Sequence, residues 1–251
     1  MKIILPSYQE PGTWLENAQM LDPQQWVDGI ELLFFSYDDD AQAILKKELP
    51  GLRDLAARFS YSLHMPDPLS PKCEELIEAT SDFVSLYIFH PLKSSTNFTS
   101  DKEQGQKNLE HWAGLVTSFQ QSFQAERFAM EFTDLTSFQQ AEHILKDCMV
   151  CADTGALLRY GIEPSVWYAK YSSRITEIHL HSIRNDKDHY PLSKKDEWLC
   201  PLLAEIEKAM RPDTKDSKPT GKSPLRINLE TFALEDSKTS YWVLMEGRCN
   251  P

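Results

Sequence analysis

With 251 residues the chain is sized for one large domain or two small ones, and its 41% hydrophobic content supplies a full core. Its 38 acidic against 26 basic side chains leave a formal net charge of -12; that balance argues against a nucleic-acid partner, because phosphate binding needs Lys and Arg to release counterions. No run approaches the ~18 apolar residues of a membrane span, the opening run is too short for a signal peptide and is interrupted by Pro6, and the scattered cysteines read as free thiols of a reducing compartment, so a cytoplasmic protein is expected.

In chain order, strand-like runs are predicted over 3–5, 29–34, 61–64, 84–90, 128–132, 149–153, 175–181 and 226–230. Amphipathic helices are predicted between them. The first, 40–58, puts Ile44, Leu45, Leu49, Leu52 and Leu55 on one side, with Pro50 and Gly51 expected to kink or split it. Residues 71–82 open on a proline suited to a first helical turn. Residues 101–124 carry Leu109, Trp112, Leu115, Val116 and Phe119 at helical spacing, and 136–147, 163–172, 194–210 and 236–246 complete the series. Strand then helix, about eight times at roughly thirty residues per unit, predicts a single (β/α)8 TIM barrel over residues 1–251, its active site at the C-terminal rim of the strands. The stretch 211–224, RPDTKDSKPTGKSP, lacks apolar periodicity and reads as a long mobile loop entering the last strand, on the face away from the site. Cys148 and Cys151 form a CxxC inside an apolar run, where a spacing of three points the thiols to opposite faces and argues against a zinc or redox pair.

The runs end on residues of metal-ligand type: YSLHMP at His64, LYIFHP at His90, FAMEF at Glu131, MVCADTG at Asp153, EIHLHS at His179 and His181, and RINLET at Glu230. A parallel barrel brings such endings to one rim. Strand alternation sets Glu177, His179 and His181 on the inner face and Ile178 and Leu180 outside; it likewise sets Arg226, Asn228 and Glu230 inside. A cup with so many carboxylates and imidazoles is costly unless cations occupy it, and mixed nitrogen and oxygen ligands suit Zn, Mn, Fe or Co. Each residue also has an ordinary reading. A strand-end carboxylate caps a helix or pairs with Arg, and a histidine beside proline packs a loop. His111 and His143 fall on outward helix faces, Glu31 reads as a structural ion pair, and Trp14, Phe35 and Tyr37 could line the cup, with aromatic core packing the plainer reading.

In run order and ligand type, with DTG after the sixth strand, the chain resembles the xylose-isomerase-like barrel superfamily of apurinic endonucleases, sugar isomerases and sugar 3-epimerases. The resemblance spans GIELLFF to INLETF. It implies one divalent ion held by Glu131, Asp153, His179 and Glu230, and a second held by His64 and His90 with Glu131 as bridge. Ala156 stands where the endonuclease branch has a third-metal histidine and the epimerases a substrate-contacting one. The segment HLHSIRNDKDHYPL is similar to the strand-seven region of the cobamide-remodelling phosphodiesterases, with His181, Asp188 and His189 matching their HLH…DH pattern. The resemblance therefore implies a hydrolase dependent on one or two divalent transition-metal ions, with a phosphorylated or corrinoid small molecule as partner. The expected reaction cleaves the phosphoribosyl linkage of a cobamide lower ligand in corrinoid salvage. Glu131, Glu230 and His181 are the candidate catalytic residues, and His181, Arg184, Asp188 and His189 the candidate substrate contacts. The alternative is a metal-dependent sugar isomerase or 3-epimerase, in which Glu131 and Glu230 also move protons. Further alternatives are an endonuclease-like repair enzyme and an inert binding protein that keeps the scaffold.

Overall fold

The computed structural model describes residues 1–93, 102–210 and 224–247. Eight parallel strands close into a barrel: β1 (Lys2–Pro6), β2 (Gly29–Leu33), β3 (Ser60–His64), β4 (Val84–Phe89), β5 (Phe128–Glu131), β6 (Met149–Asp153), β7 (Ile175–His179) and, after a small hairpin, β10 (Arg226–Asn228), which pairs with both β1 and β7. Helices fill the connections: α1 (Trp14–Leu21), α2 (Asp39–Leu55), α3 (Cys73–Thr80), α4 (Lys102–Phe123), α5 (Leu135–Ile144), α6 (Thr154–Arg159), α7 (Pro164–Tyr171), α8 (Leu199–Met210) and α9 (Leu234–Gly247). This is the predicted (β/α)8 barrel. Among the described residues no helix is long and apolar enough to cross a membrane.

Alternation along the strands divides the apolar residues into two layers. Tyr87, Phe89, Met130, Val150 and Ile178 join the main core between strands and helices. Their strand neighbours Leu86, Ile88, Ala129 and Cys151 form a separate cluster inside the barrel. Cys148 belongs to the first layer and Cys151 to the second, so the CxxC thiols do face opposite ways. The rest of the interior is polar. Ser62 on β3 donates to Glu177 on β7 at 3.2 Å, and Glu31 on β2 meets His179 on β7 at 3.0 Å. Neither strand pair is adjacent in the sheet, so both bonds cross the barrel axis.

Several boundaries differ from the expected ones. α2 is one helix with Pro50 in its interior. β7 ends at His179 and β10 at Asn228, so His181 and Glu230 lie just beyond their strands. α1 had no counterpart in the sequence reading; it is opened by a capping box in which Thr13 accepts from the Glu16 amide and the Glu16 carboxylate accepts from the Thr13 amide. The stretch 211–223 of the expected loop, and position 101 of the expected third helix, lie outside the described residues.

Candidate metal centre

Register sets the rim. Asp153 on β6 stands beside His179 on β7, and His179 beside Asn228 on β10. Three histidines converge on one carboxylate oxygen. His64 Nε2 lies 3.0 Å from Glu131 Oε2, His90 Nε2 3.4 Å and His179 Nδ1 3.6 Å. The far nitrogen of each ring is already engaged: His64 Nδ1 with the Met65 carbonyl at 3.2 Å, His90 Nδ1 with Asp67 at 3.3 Å, and His179 Nε2 with Glu31 at 3.0 Å. Those partners are acceptors, so the far nitrogens carry the protons. Neutral rings would then aim three lone pairs at a carboxylate oxygen. Only cations, protons or metal ions, relieve that arrangement.

Burial sharpens the point. His179 and Glu31 are fully buried, and Glu131, Asp153 and Glu230 nearly so. His179 Nδ1 and Glu230 Oε2 lie 3.5 Å apart, and neither has a hydrogen-bond partner among the described residues. A buried donor or acceptor without a partner costs about 1–3 kcal/mol, so two that face each other fit an ion between them. Burial works against a charge on His90, but Glu131 and Asp67 overcome it and hold the ring up at about 10. Burial also opposes charge on Glu131, and His179 and His90 keep that carboxyl well below its usual range. Burial pushes Glu230 up to about 8. Among the described residues four donor sets could grip a metal: His64, His90 and Glu131; Glu131, Asp153 and His179; Glu31, His179 and Glu230; and His181, His189 and Glu230. The residues present fit one or two divalent ions, and Glu131 belongs to the first two sets.

Asp153 keeps its ordinary role as well. Its Oδ1 accepts the Ala156 amide at 2.6 Å and so caps α6. His181 lies behind it, with Nε2 3.4 Å from both Asp153 oxygens. His181 Nδ1 accepts the His189 amide at 3.0 Å, so the neutral ring carries its proton on Nε2. Gly155 makes room for this ring: a Cβ there would sit 2.1 Å from His181 Cε1. His181 is buried, stands behind Asp153 and is not among the described residues that line the cavity.

The segment after β7 folds back as a hairpin, β8 (Ser182–Arg184) and β9 (Lys187–Tyr190). Its turn residues Asn185 and Asp186 both have positive φ, at 51° and 60°, as a tight primed turn requires. His189, at φ 60°, sits where the ladder register shifts, and its ring packs 4.5 Å from both His181 and Phe232, itself at φ 53°. Left-handed non-glycine residues cost energy and gather at functional sites. Here they turn His189 into the cup, where its Nδ1 meets the Glu230 carbonyl at 3.1 Å.

The cup opens as a cavity of about 540 Å³ whose wall includes His64, His90, Glu131, Asp153, Asp188, His189 and Glu230. Arg184 does not line it; this side chain donates to the Pro191 carbonyl at 3.2 Å and lies over Tyr190. The cation on the wall is Arg159, paired with Asp188. Sequence reading missed Arg159, which no pattern flagged, and Glu31 as the anchor of His179. Of the two readings open for Phe35, the cavity wall is the one observed: the residue is 75% exposed there and not in the core.

No protein-family model and no curated protein matches the chain. Solved structures do. The chain is similar to 3-keto-D-glucoside 4-epimerase from E. coli in its apo form, at 10% identity, TM-score 0.65 and 99% coverage of each chain. It is similar to an L-ribulose 3-epimerase at 11% identity and TM-score 0.64, over 98% of this chain and 95% of that one. It is also similar to the probable 3-DHS dehydratase of petrobactin synthesis from Bacillus anthracis, at 14% identity and TM-score 0.60 over all of both chains. At such identities what is shared is the fold: over essentially its whole length the chain has the barrel of these sugar epimerases and of the dehydratase.

Proposed function

We propose that this chain is a metal-dependent enzyme that hydrolyses a phosphoester, with the phosphoribosyl linkage of a cobamide lower ligand as its substrate. The observation that carries this reading is the convergence of His64, His90 and His179 on Glu131, which suits one carboxylate shared between two ions. Divalent ions there would neutralise the charge that builds on phosphoryl oxygens and make a nucleophile available near neutral pH. The chain's own groups do the rest. Glu31 and Asp67 fix the rings of His179 and His90. His181 holds Asp153 through its Nε2 proton. Asp188 steadies Arg159 on the wall, where its guanidinium can fork onto phosphoryl oxygens. His189 gives its Nδ1 proton to the Glu230 carbonyl and keeps an acceptor nitrogen.

The fold likenesses speak for a second reading better than for the first. The similar structures named above bear the names of epimerases and a dehydratase. A sugar isomerase or epimerase needs one ion at Glu131, Asp153, His179 and Glu230, with the two glutamates moving protons. Against it stands Ala156 on the cavity wall, which offers no side-chain contact to a sugar hydroxyl.

Elemental analysis of the purified chain separates the two. Two ions per chain, release of the lower-ligand riboside from a cobamide, and loss of both the second ion and the release in Glu131→Gln are expected. One ion per chain together with turnover of a ketose would replace the first reading by the second.

A further inference from the structure

A second hollow of about 390 Å³ adjoins the cup and shares Tyr8, Leu33 and Phe35 with it. It lies between the segment after β1 and the start of α2, and exposed apolar side chains stand in it beside the exposed Ser36, Asp38 and Asp40. Phe35 is 75% exposed, Tyr8 44% and Ile44 41%, and all three line this one groove. Single exposed hydrophobic residues are ordinary, but several side by side, continuous with a polar cavity, mark a ligand surface. The wall behind is fixed. Trp14 stacks on Phe34 with centroids 4.2 Å apart and donates its indole N–H to the Leu33 carbonyl at 2.8 Å.

Charge says what such a surface takes. Among the described residues that line the groove the charged side chains are Asp38 and Asp40, and none is basic. Asp38 is spent on the Ala41 amide and the Ser36 hydroxyl. An anion gains nothing there, while a flat ring finds faces to stack on. We propose that this groove is a second substrate subsite, which holds a flat, uncharged aromatic portion of the substrate against Phe35 while the anionic portion of the same molecule lies in the metal cup. The position of the anionic end rests on the hydrolase reading above; the aromatic subsite rests on the groove itself.

The test is equilibrium binding of 2-naphthol to the full, zinc-loaded chain in the presence of saturating inorganic phosphate. Phosphate should not displace the probe. Phe35→Ala should weaken binding roughly tenfold. Phe35→Tyr should restore it, and Val166→Ala, which alters an exposed apolar residue on α7, should leave it unchanged. Equal affinity in Phe35→Ala and wild type, displacement by phosphate, or no measurable binding to wild type at millimolar probe overturns the subsite. Cobamide turnover with no Phe35 dependence of naphthol binding would overturn the subsite alone. The expected binding pattern without cobamide turnover would overturn the hydrolase reading alone.

Discussion

At the residue scale the site turns on which nitrogen of His179 faces the cup. Glu31 settles it by accepting Nε2–H, which leaves Nδ1 toward Glu131 and Glu230. Both side chains are fully buried, so no water can replace the carboxylate. Glu31→Gln keeps the shape but loses the charge, and metal affinity by chelator competition should fall roughly 10- to 100-fold with the fold intact. Unchanged affinity would show that the ring is held by packing alone. His64, His90, Glu131 and Asp153 could be picked out in the sequence because each closes a hydrophobic run. Glu31 sits in the middle of a run, 148 residues from its partner, and only barrel register joins them. Arg159 failed to register for a related reason: it ends a short helix, whereas Arg184 lay next to a suggestive motif and turned out to point elsewhere.

At the element scale the β8–β9 hairpin is where sequence periodicity gave least. Strands of three and four residues are too short to show alternation, so no element is predicted between 181 and 194 although Asn185–Asp186 suits a primed turn. The hairpin matters because the His189 amide fixes the tautomer of His181, which in turn supports Asp153. Asp186 has a φ of 60°. Glycine adopts that conformation freely, while a β-branched residue pays about 1–2 kcal/mol. Asp186→Gly should therefore leave the hairpin closed, and Asp186→Val should loosen it. The readout is exchange of the His189 amide hydrogen, which should quicken only in Asp186→Val. Equal exchange in the two variants would mean that packing of His189 on His181 and Phe232, not the turn, holds the element.

At the scale of the whole molecule the barrel was readable because eight short apolar runs follow one another with amphipathic stretches between most of them, and each run locates its own strand. The electrostatic state of the cup was not readable, since it depends on how completely the assembled barrel excludes water. That state predicts how stability varies with pH. In the metal-free chain Glu131 and Asp67 overcome burial to raise His90 from 6.5 to about 10, and burial raises Glu230 from 4.5 to about 8. A group with a raised folded-state value lends stability that is complete below its unfolded value and is lost as pH climbs through the folded one. Glu230 therefore stops contributing between 4.5 and 8, and His90 between 6.5 and 10, so both losses overlap from 6.5 to 8. Glu131, held low, acts in the opposite sense and weakens the fold only on the acid side. Metal ions would take over from the departing protons, and deprotonated ligands bind them better. Melting temperature with chelator should fall as pH is raised from 6 to 9, steepest from 6.5 to 8. With zinc it should hold nearly level, so the gap between the two curves widens with pH. A gap of constant size across that range would mean that the cup binds no metal through these residues.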